Sequence, residues 1–383
     1  MYVGSADGME AGLVQKESDL PFEAISAAAV RGRNPLALAK SIAVMAHGTA
    51  EARRLIRRLR PAAILGTGGY VCVPLFLAAR SLGIPTVIYL PDVVPGLAVK
   101  SLARIATVVA CNVEDSATHF GLTIPHFGLT IDDLRLKEAA QDNGASNPKS
   151  KIQNRKFIVT GYPVRAELFT QERATCRAAF GLADELPVVF VYGGSRGARS
   201  VNQAIAALLP YLLPLAHVIH VCGREGDETF LREAAARLPE ELRERYQLYP
   251  YLHSEGSAAP GPTMIQALGA ADLAVCRSGA STMAELPAAG LPAVLVPYPF
   301  VHQEENADYL VARGAAVKVQ DAAMLGSGRP EDGPLFQQVR RLLLAHEERF
   351  DMSERSRLLA RPRAAHHLAE LLLALATNTR TEK

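Results

Sequence analysis

The stretch Val188-Val-Phe-Val-Tyr192-Gly-Gly-Ser-Arg-Gly-Ala-Arg199-Ser-Val-Asn202, VVFVYGGSRGARSVN, runs an unbroken apolar segment into Gly193, Gly194, Ser195 and Gly197. A short apolar run that ends at turn residues predicts a buried strand, and Val201, Ile205, Leu208 and Leu212 then recur at helical spacing. Strand, glycine turn and helix form the unit from which parallel α/β sheets are built. The glycines let the backbone turn tightly and bring its N–H groups close to an anion. The helix N-terminus points at the same spot, and Ser195 adds a hydroxyl donor. The pattern G-G-S-x-G is neither a Walker loop nor G-x-G-x-x-G, and no acid stands at the distance a ribose partner needs. By itself the loop leaves open a plain tight turn, a dinucleotide, a phosphorylated substrate and a nucleotide sugar.

The same unit recurs along the chain. LAVCRSGASTMAEL (Leu273 to Leu286) predicts a strand, the turn Arg277-Ser-Gly279-Ala-Ser281, and a helix capped by Ser281 or Thr282. Glu285 falls near the first turn of that helix, where a carboxylate can accept the two hydroxyl protons of a ribose diol. A dipole-favoured acid at a helix start is the bland alternative, and Pro287 makes the helix short or kinked. After the next strand, VPYPFVHQEENADYL places His302, Gln303 and Asn306 just past a strand's C-terminal end, where ligands of open α/β sheets sit. A solvated loop is the alternative there. Near the start, LGTGGYVCVPLFLAARSLGIP gives a third strand, glycine turn and helix.

Further strands are expected at 62–65, 86–90, 106–111, 157–160, 217–221 and 293–296, with a seam near Thr160-Gly-Tyr-Pro-Val-Arg165. Residues 119–156 interrupt the alternation: His119-Phe-Gly-Leu-Thr123 recurs as His126-Phe-Gly-Leu-Thr130, followed by a polar run from Gln141. Two copies are too few for a solenoid, so a hairpin or surface loop is expected.

At 383 residues the chain exceeds one comfortable core, and 49% hydrophobic with 21% charged residues excludes disorder. A formal charge of +2 gives no global field for nucleic acid. Five scattered cysteines at no zinc spacing read as reduced thiols of a cytoplasmic protein. No apolar run is long enough to span a bilayer and no signal peptide leads the chain. Basic charge is concentrated between Arg31 and Arg60, where eight Lys and Arg face one acid, Glu51. There TAEARRLIRRLRP carries Ala52, Leu55, Ile56 and Leu59 on one side and arginines on the other, with Leu36, Leu38, Ile42 and Met45 upstream. Either a solvated basic face or a docking patch for anionic lipid headgroups fits this pattern.

Taken together, YVGSADGMEAGLVQK, LGTGGYVCVP, LGIPTVIYLPDVVPGLAVKSLARIA, GYPVR, GGSRGARSVN, CRSGASTMAELPAAGLP and HQEENADYL resemble the MurG family in content and order. The match covers most of the chain outside 119–156 and the last fifty residues. The resemblance implies an α/β GT-B fold, two Rossmann-like domains facing a cleft. It implies residues 1–160 as an acceptor- and membrane-side domain, 161–360 as a UDP-sugar-binding domain, and 361–383 as a C-terminal helix packing back on the first. The implied activity is inverting, metal-independent transfer of N-acetylglucosamine from UDP-N-acetylglucosamine to the polyprenyl-linked muramyl-pentapeptide (lipid I), at the cytoplasmic face of the plasma membrane and with no cofactor. Carried over by position, Gly193, Gly194 and Ser195 meet the diphosphate. Tyr251 and Leu252 lie against uracil, with Met264 following after a local insertion. Ser281 and Thr282 sit near the phosphates, and Glu285 takes the ribose hydroxyls. His302 and Gln303 face the sugar, and Arg165 is the hinge arginine near the donor. Gly68, Gly69 and Tyr70 form the acceptor-side loop.

Two departures stand out. Met1-Tyr-Val-Gly corresponds to the family's second strand, so the first strand and its histidine-bearing glycine loop are not in this sequence. A start site set downstream of them is the expectation, and loss of a central strand would expose both neighbours' edges. Where many members read H-E-Q-N, this chain has Tyr89-Leu90-Pro91-Asp92, which leaves Asp92 as the in-chain candidate for the general base. The rival readings are a glycosyltransferase with another lipid acceptor, a UDP-N-acetylglucosamine 2-epimerase, and a non-catalytic UDP-sugar binder.

Overall fold

The computed structural model describes residues 1–383 except 7, 9–10, 13, 16–17, 29–34, 122–155, 254–260 and 382–383. The second copy of the tandem motif, the polar run from Gln141, Arg31, Arg33 and most of the short insertion after Leu252 lie outside the described residues. The chain divides into two units, residues 1–161 with 365–383, and residues 162–364.

In the first unit, β1 (Tyr2–Gly4) pairs in parallel with β2 (Phe22–Ala24) as a two-stranded sheet. A second, fully parallel sheet has the order β3 (Ile64–Gly66), β4 (Thr86–Leu90), β5 (Val108–Cys111), β6 (Lys156–Val159). β1 and β3 each keep one edge without a strand partner among the described residues. The Pro35–Leu59 helix joins the apolar segment from Leu36 and the arginine segment into one element of 25 residues. It buries Ala52, Leu55 and Ile56 against Leu75, Ala78 and Ala79 of the Cys72–Ser81 helix, with Ile25 from the end of β2. The Ala364–Thr381 helix belongs to this unit from Ala365 and buries Leu368 and Leu371.

The second unit is one parallel sheet in the order β12 (Ala316–Lys318), β11 (Ala293–Leu295), β10 (Leu273–Cys276), β7 (Val188–Tyr192), β8 (His217–Val221), β9 (Tyr246–Tyr249). β7 and β8 are buried at every residue, and β7 accordingly reads as a continuous apolar run. The Arg199–Leu212 helix covers one face and sinks Val201, Ile205, Leu208 and Leu212 to zero exposure. This core also takes in Leu335, Val339 and Leu342 of the Pro334–Leu344 helix. Because β8 and β9 run to one side of β7, and β10, β11 and β12 to the other, the connections part between β7 and β10. That is the topological switch point, and ligands of such sheets lie outside the strand C-termini there.

Three strands escape the sequence reading: β2, β9 and β12. Each lies at a sheet edge. Edge strands are short and half-covered, so Tyr246-Gln-Leu-Tyr249 stays intermediate in burial throughout and carries no apolar run.

Candidate functional site

A cavity of about 340 Å³ opens in the second unit at the C-terminal ends of β7 and β10. It is lined by Arg165, Gly193, Gly194, Ser195, Tyr251, Leu252, Met264, Ser281, Thr282, Glu285 and Gln303, together with Tyr192, Val221, Arg277 and Gly279.

Its floor begins with the turn after β7. A Cβ on Gly193 would meet the Ala198 nitrogen and Cβ at 2.4 Å, so only glycine lets the strand end lie this close to the helix start. Gly194 turns through φ 88°, the left-handed region that L side chains avoid. The Ala198 side chain gives no cap to the Arg199–Leu212 helix, whose first N–H groups are left for a ligand. Gly193→Ala is expected to lower donor affinity about 10-fold or more by displacing the amides of this turn, at a stability cost of about 1–3 kcal/mol. Calorimetric titration with UDP-N-acetylglucosamine, beside a thermal melt, checks both.

The opposite wall comes from the turn after β10. Ser281 or Thr282 was expected to cap the Thr282–Ala289 helix, and the structure corrects this. Ser281 has helical dihedrals, φ −66° and ψ −38°, whereas an N-cap needs extended ones, and neither residue makes a side-chain cap bond. The Ser281 hydroxyl instead hydrogen-bonds the Glu285 carboxylate one turn on. Burial pushes the Glu285 carboxyl above its usual range, against the opposing pull of Ser281 and of the Arg165 guanidinium.

Gln303 reaches the cavity while its neighbour does not. Its Oε1 accepts the Tyr298 N–H at 2.9 Å and its carbonyl accepts the Ser278 hydroxyl at 2.7 Å, which fixes its position. His302 is not among the lining residues; its ring is 59% exposed and lies 3.8 Å from Glu305. Asn306 is buried, donating to the Ser278 carbonyl at 3.0 Å, so it braces the turn after β10. Tyr251 carries the Arg224 guanidinium over its ring at 3.9 Å, a cation–π contact on the rim. The Met264–Ala270 helix starts with a capping box, Thr263 and Gln266 satisfying each other's backbone N–H.

Two supports were missed by the sequence reading. Arg277, 10% exposed, donates to the Val296 and Pro297 carbonyls at 3.0 and 3.2 Å, to Asp321 at 2.5 Å and to Ser200 at 2.7 Å. It thereby ties together the segments that follow β7, β10, β11 and β12. Asn202 donates to the Cys222 carbonyl and to Asp227, both at 2.8 Å. Its Oδ1 is left to accept from His220 Nε2, so His220 Nδ1 accepts from Tyr246, and burial pushes that imidazole down to about 3. The glycine turn after β8 is held in this way beside the turn after β7.

The remaining candidates belong to the first unit. Gly68 and Gly69 turn in the left-handed region at φ 102° and 78°, followed by the exposed Tyr70. Asp92 follows β4, and its carbonyl accepts the Ser116 hydroxyl at 3.2 Å. Among the described residues no group of three His, Cys, Asp or Glu could hold a metal ion, and no helix is long and apolar enough to cross a membrane.

Residues 1–111 match the glycosyltransferase family 28 N-terminal domain and residues 188–368 the family 28 C-terminal domain. The chain is 59% identical over 390 residues to the UDP-N-acetylglucosamine--N-acetylmuramyl-(pentapeptide) pyrophosphoryl-undecaprenol N-acetylglucosamine transferase of Roseiflexus sp. strain RS-1. That alignment covers 100% of this chain and 84% of the relative. Among solved structures, Acinetobacter baumannii MurG matches with a TM-score of 0.66 at 26% identity, over 97% of this chain and 90% of that one. A UDP-GlcNAc 2-epimerase from Neisseria meningitidis, bound to UDP-GlcNAc, matches with a TM-score of 0.58 at 13% identity, over 97% and 90%, and shares the fold.

Proposed function

The chain belongs to the MurG transferases of glycosyltransferase family 28, with their GT-B fold of two Rossmann-like domains, and we propose how its residues carry the family's reaction. It moves N-acetylglucosamine from UDP-N-acetylglucosamine to lipid I, forming lipid II in peptidoglycan synthesis. The sugar nucleotide is a substrate, and no step below is routed through a metal or cofactor.

The observation that carries the assignment of the donor site is a single cavity at the switch point. It joins an uncapped helix start and glycine turn, suited to a diphosphate, to a half-buried carboxylate, suited to a diol. The amides of Gly194 and Ser195 receive the diphosphate, Glu285 takes the ribose 2′- and 3′-hydroxyls, Tyr251 and Leu252 flank the uracil, and Gln303 faces the sugar. Ser281 and Thr282 lie near the phosphates, and Arg165 adds positive charge. His302, at the rim, is the weaker of the two sugar-side candidates because its ring turns towards Glu305.

In the reaction the acceptor hydroxyl oxygen bonds to C1 of the sugar from the face opposite UDP. The C1–O bond to the diphosphate breaks with its electron pair going to UDP, and configuration at C1 inverts. Negative charge grows on the leaving diphosphate, so fixed amides and a helix dipole stabilise the transition state beyond the ground state. The hydroxyl proton passes to a general base. Asp92 is the carboxylate assigned to that step, with Gly68, Gly69 and Tyr70 on the acceptor side. Asp92→Asn should lower kcat about 100-fold or more with donor KM unchanged; an unchanged kcat removes Asp92 from the mechanism. Donor assignment is tested by calorimetry: UDP-N-acetylglucosamine should bind at least about 10-fold more tightly than UDP-glucose, and NAD not at all.

The first unit supports peripheral attachment to the cytoplasmic face of the plasma membrane. Leu36 and Ile42 are 80% and 56% exposed on the Pro35–Leu59 helix, which ends in the exposed Arg53, Arg54, Arg57 and Arg58. Apolar residues inserted among headgroups, with arginines on anionic phosphates, suit an interface at about 1 kcal/mol per charge. Replacing Arg53, Arg54 and Arg57 by alanine should weaken binding to phosphatidylglycerol vesicles about 100-fold and flatten its salt dependence. Unchanged cosedimentation would remove this helix as the docking element.

A further inference from the structure

Tyr251, two residues past β9, lines the donor cavity beside Leu252, and its ring is clamped from outside that cavity. The Arg224 guanidinium lies over one face at 3.9 Å, and the His253 ring meets the tyrosine edge-on, with centroids 5.3 Å apart and planes at 82°. Neither Arg224 nor His253 is among the lining residues, so the surface they cover is not the one the cavity sees. Arg224 is exposed, yet no carboxylate holds it. The acids of its own turn and of the helix that follows are engaged elsewhere: Glu225 with Arg196 at 2.5 Å, Asp227 with Arg199 at 2.7 Å and Glu228 with Arg232 at 2.5 Å. Among the described residues Arg224 makes no side-chain hydrogen bond or ion pair, and the Tyr251 ring is its partner.

The backbone that carries Arg224 is fixed as well. Gly223 turns through φ 91° directly against the glycine turn after β7, where a Cβ would meet the Gly197 nitrogen and Cα at 2.3 Å. Gly197 in turn donates its N–H to the Gly194 carbonyl at 3.0 Å. Arg224 therefore springs from a turn seated on the one assigned to the diphosphate. An aromatic face is a good wall for a flat base only while the ring is kept from swinging. We propose that Arg224 is a positioning residue for the nucleobase: its guanidinium, held over the far side of the Tyr251 ring, sets the near side as the wall on which uracil lies. Base wall and diphosphate turn are thereby held at one spacing, through Gly223 and Gly197. This inference rests on the placement of uracil against Tyr251. A cation that acts through the ring, rather than on the phosphates, affects only ligands that carry a base.

The test separates the base from the rest of the nucleotide. Inhibition constants are measured at saturating acceptor for UDP and for the 5-diphosphate of methyl riboside, which keeps the ribose and the diphosphate but has no base. Arg224→Ala should weaken UDP about three- to fivefold, the range of an exposed cation–π contact, and leave the base-free diphosphate within about 1.5-fold. KM for UDP-N-acetylglucosamine should rise by the same factor with kcat within about twofold. Arg224→Lys keeps a cation over the ring and should bring UDP back to within about twofold of the parent, whereas Arg224→Gln should not. Tyr251→Ala should weaken UDP about tenfold or more and spare the base-free diphosphate. Adding Arg224→Ala to it should cost nothing further, since the two residues act as one. Equal weakening of both inhibitors by Arg224→Ala would make the arginine a charge acting on the diphosphate; that result, or an unchanged constant for UDP, would overturn the proposal. If Tyr251→Ala fails to discriminate between the inhibitors, the placement of uracil against Tyr251 falls and this proposal with it. If Tyr251→Ala discriminates and Arg224→Ala does not, only the role of Arg224 is lost.

Discussion

Replacing Arg277 by alanine is expected to destabilise the second unit by about 3–5 kcal/mol, the cost of removing one partner from a buried ion pair. Three losses combine. Asp321 keeps a charge at 20% exposure with Ser200 as its remaining bond, the Val296 and Pro297 carbonyls lose their donor, and the stacking against Tyr298 at 5.3 Å disappears. The melting transition of this unit should fall by roughly 10 °C. Donor binding should weaken in the surviving folded fraction, because the turns after β7 and β10 and the segment bearing Gln303 all depend on this guanidinium. Arg277→Lys keeps the charge but not the planar fork that reaches four acceptors, and should recover less than half of the loss. A melting temperature for Arg277→Ala within about 2 °C of the parent would refute this role.

Glu285 should separate function from stability in the opposite direction. Glu285→Ala is expected to lower kcat/KM for the donor about 100-fold, corresponding to two hydrogen bonds to a charged group at about 1.5 kcal/mol each. Glu285→Gln should lose donor binding too, yet melt at or above the parent temperature at neutral pH. The carboxyl is raised in the folded state by burial. A group raised in this way contributes stability below its unfolded pKa, about 4.3, and loses it as pH rises through the folded value. At pH 7 the ionised carboxylate therefore costs the ligand-free protein stability that glutamine does not. The melting advantage of Glu285→Gln should be largest at neutral pH and shrink towards pH 4. Donor affinity of the parent should follow the reverse course, falling on acidification as the carboxylate is protonated. A Glu285→Gln protein that binds donor normally would remove this residue from the site.

The parallel core was legible because its strands are buried on both faces. Val188–Tyr192, His217–Val221, Leu273–Cys276 and Thr86–Leu90 are found at the residues their apolar runs define. The edges were not legible: β9 has no fully buried residue and β12 buries only Ala316, so neither run nor alternation is long enough to register. Within the site, the glycine turn and the carboxylate four residues beyond Ser281 could be read from spacing. The role of Ser281 could not, since a side-chain cap and a bond to Glu285 differ only in a backbone dihedral. Nor could the side chain of Gln303 be told from that of His302 before the start of the Glu304–Ala312 helix fixed which one turns inward. Arg277 and Asp321 lie 44 residues apart and meet only because the segments after β10 and β12 leave the same parallel sheet at its C-terminal end. Local sequence carries no trace of such a pair.

The central claim is that this chain transfers N-acetylglucosamine from a donor held in the second unit. Its most direct test is incubation with UDP-N-acetylglucosamine labelled in the sugar and lipid I in mixed micelles, with products separated and identified by mass. The expected result is label in a lipid one N-acetylhexosamine heavier than lipid I, one UDP released per transfer, and about 100-fold slower formation by Glu285→Ala. Label left wholly in UDP-N-acetylglucosamine, or recovered as the 2-epimeric sugar without acceptor, would contradict it.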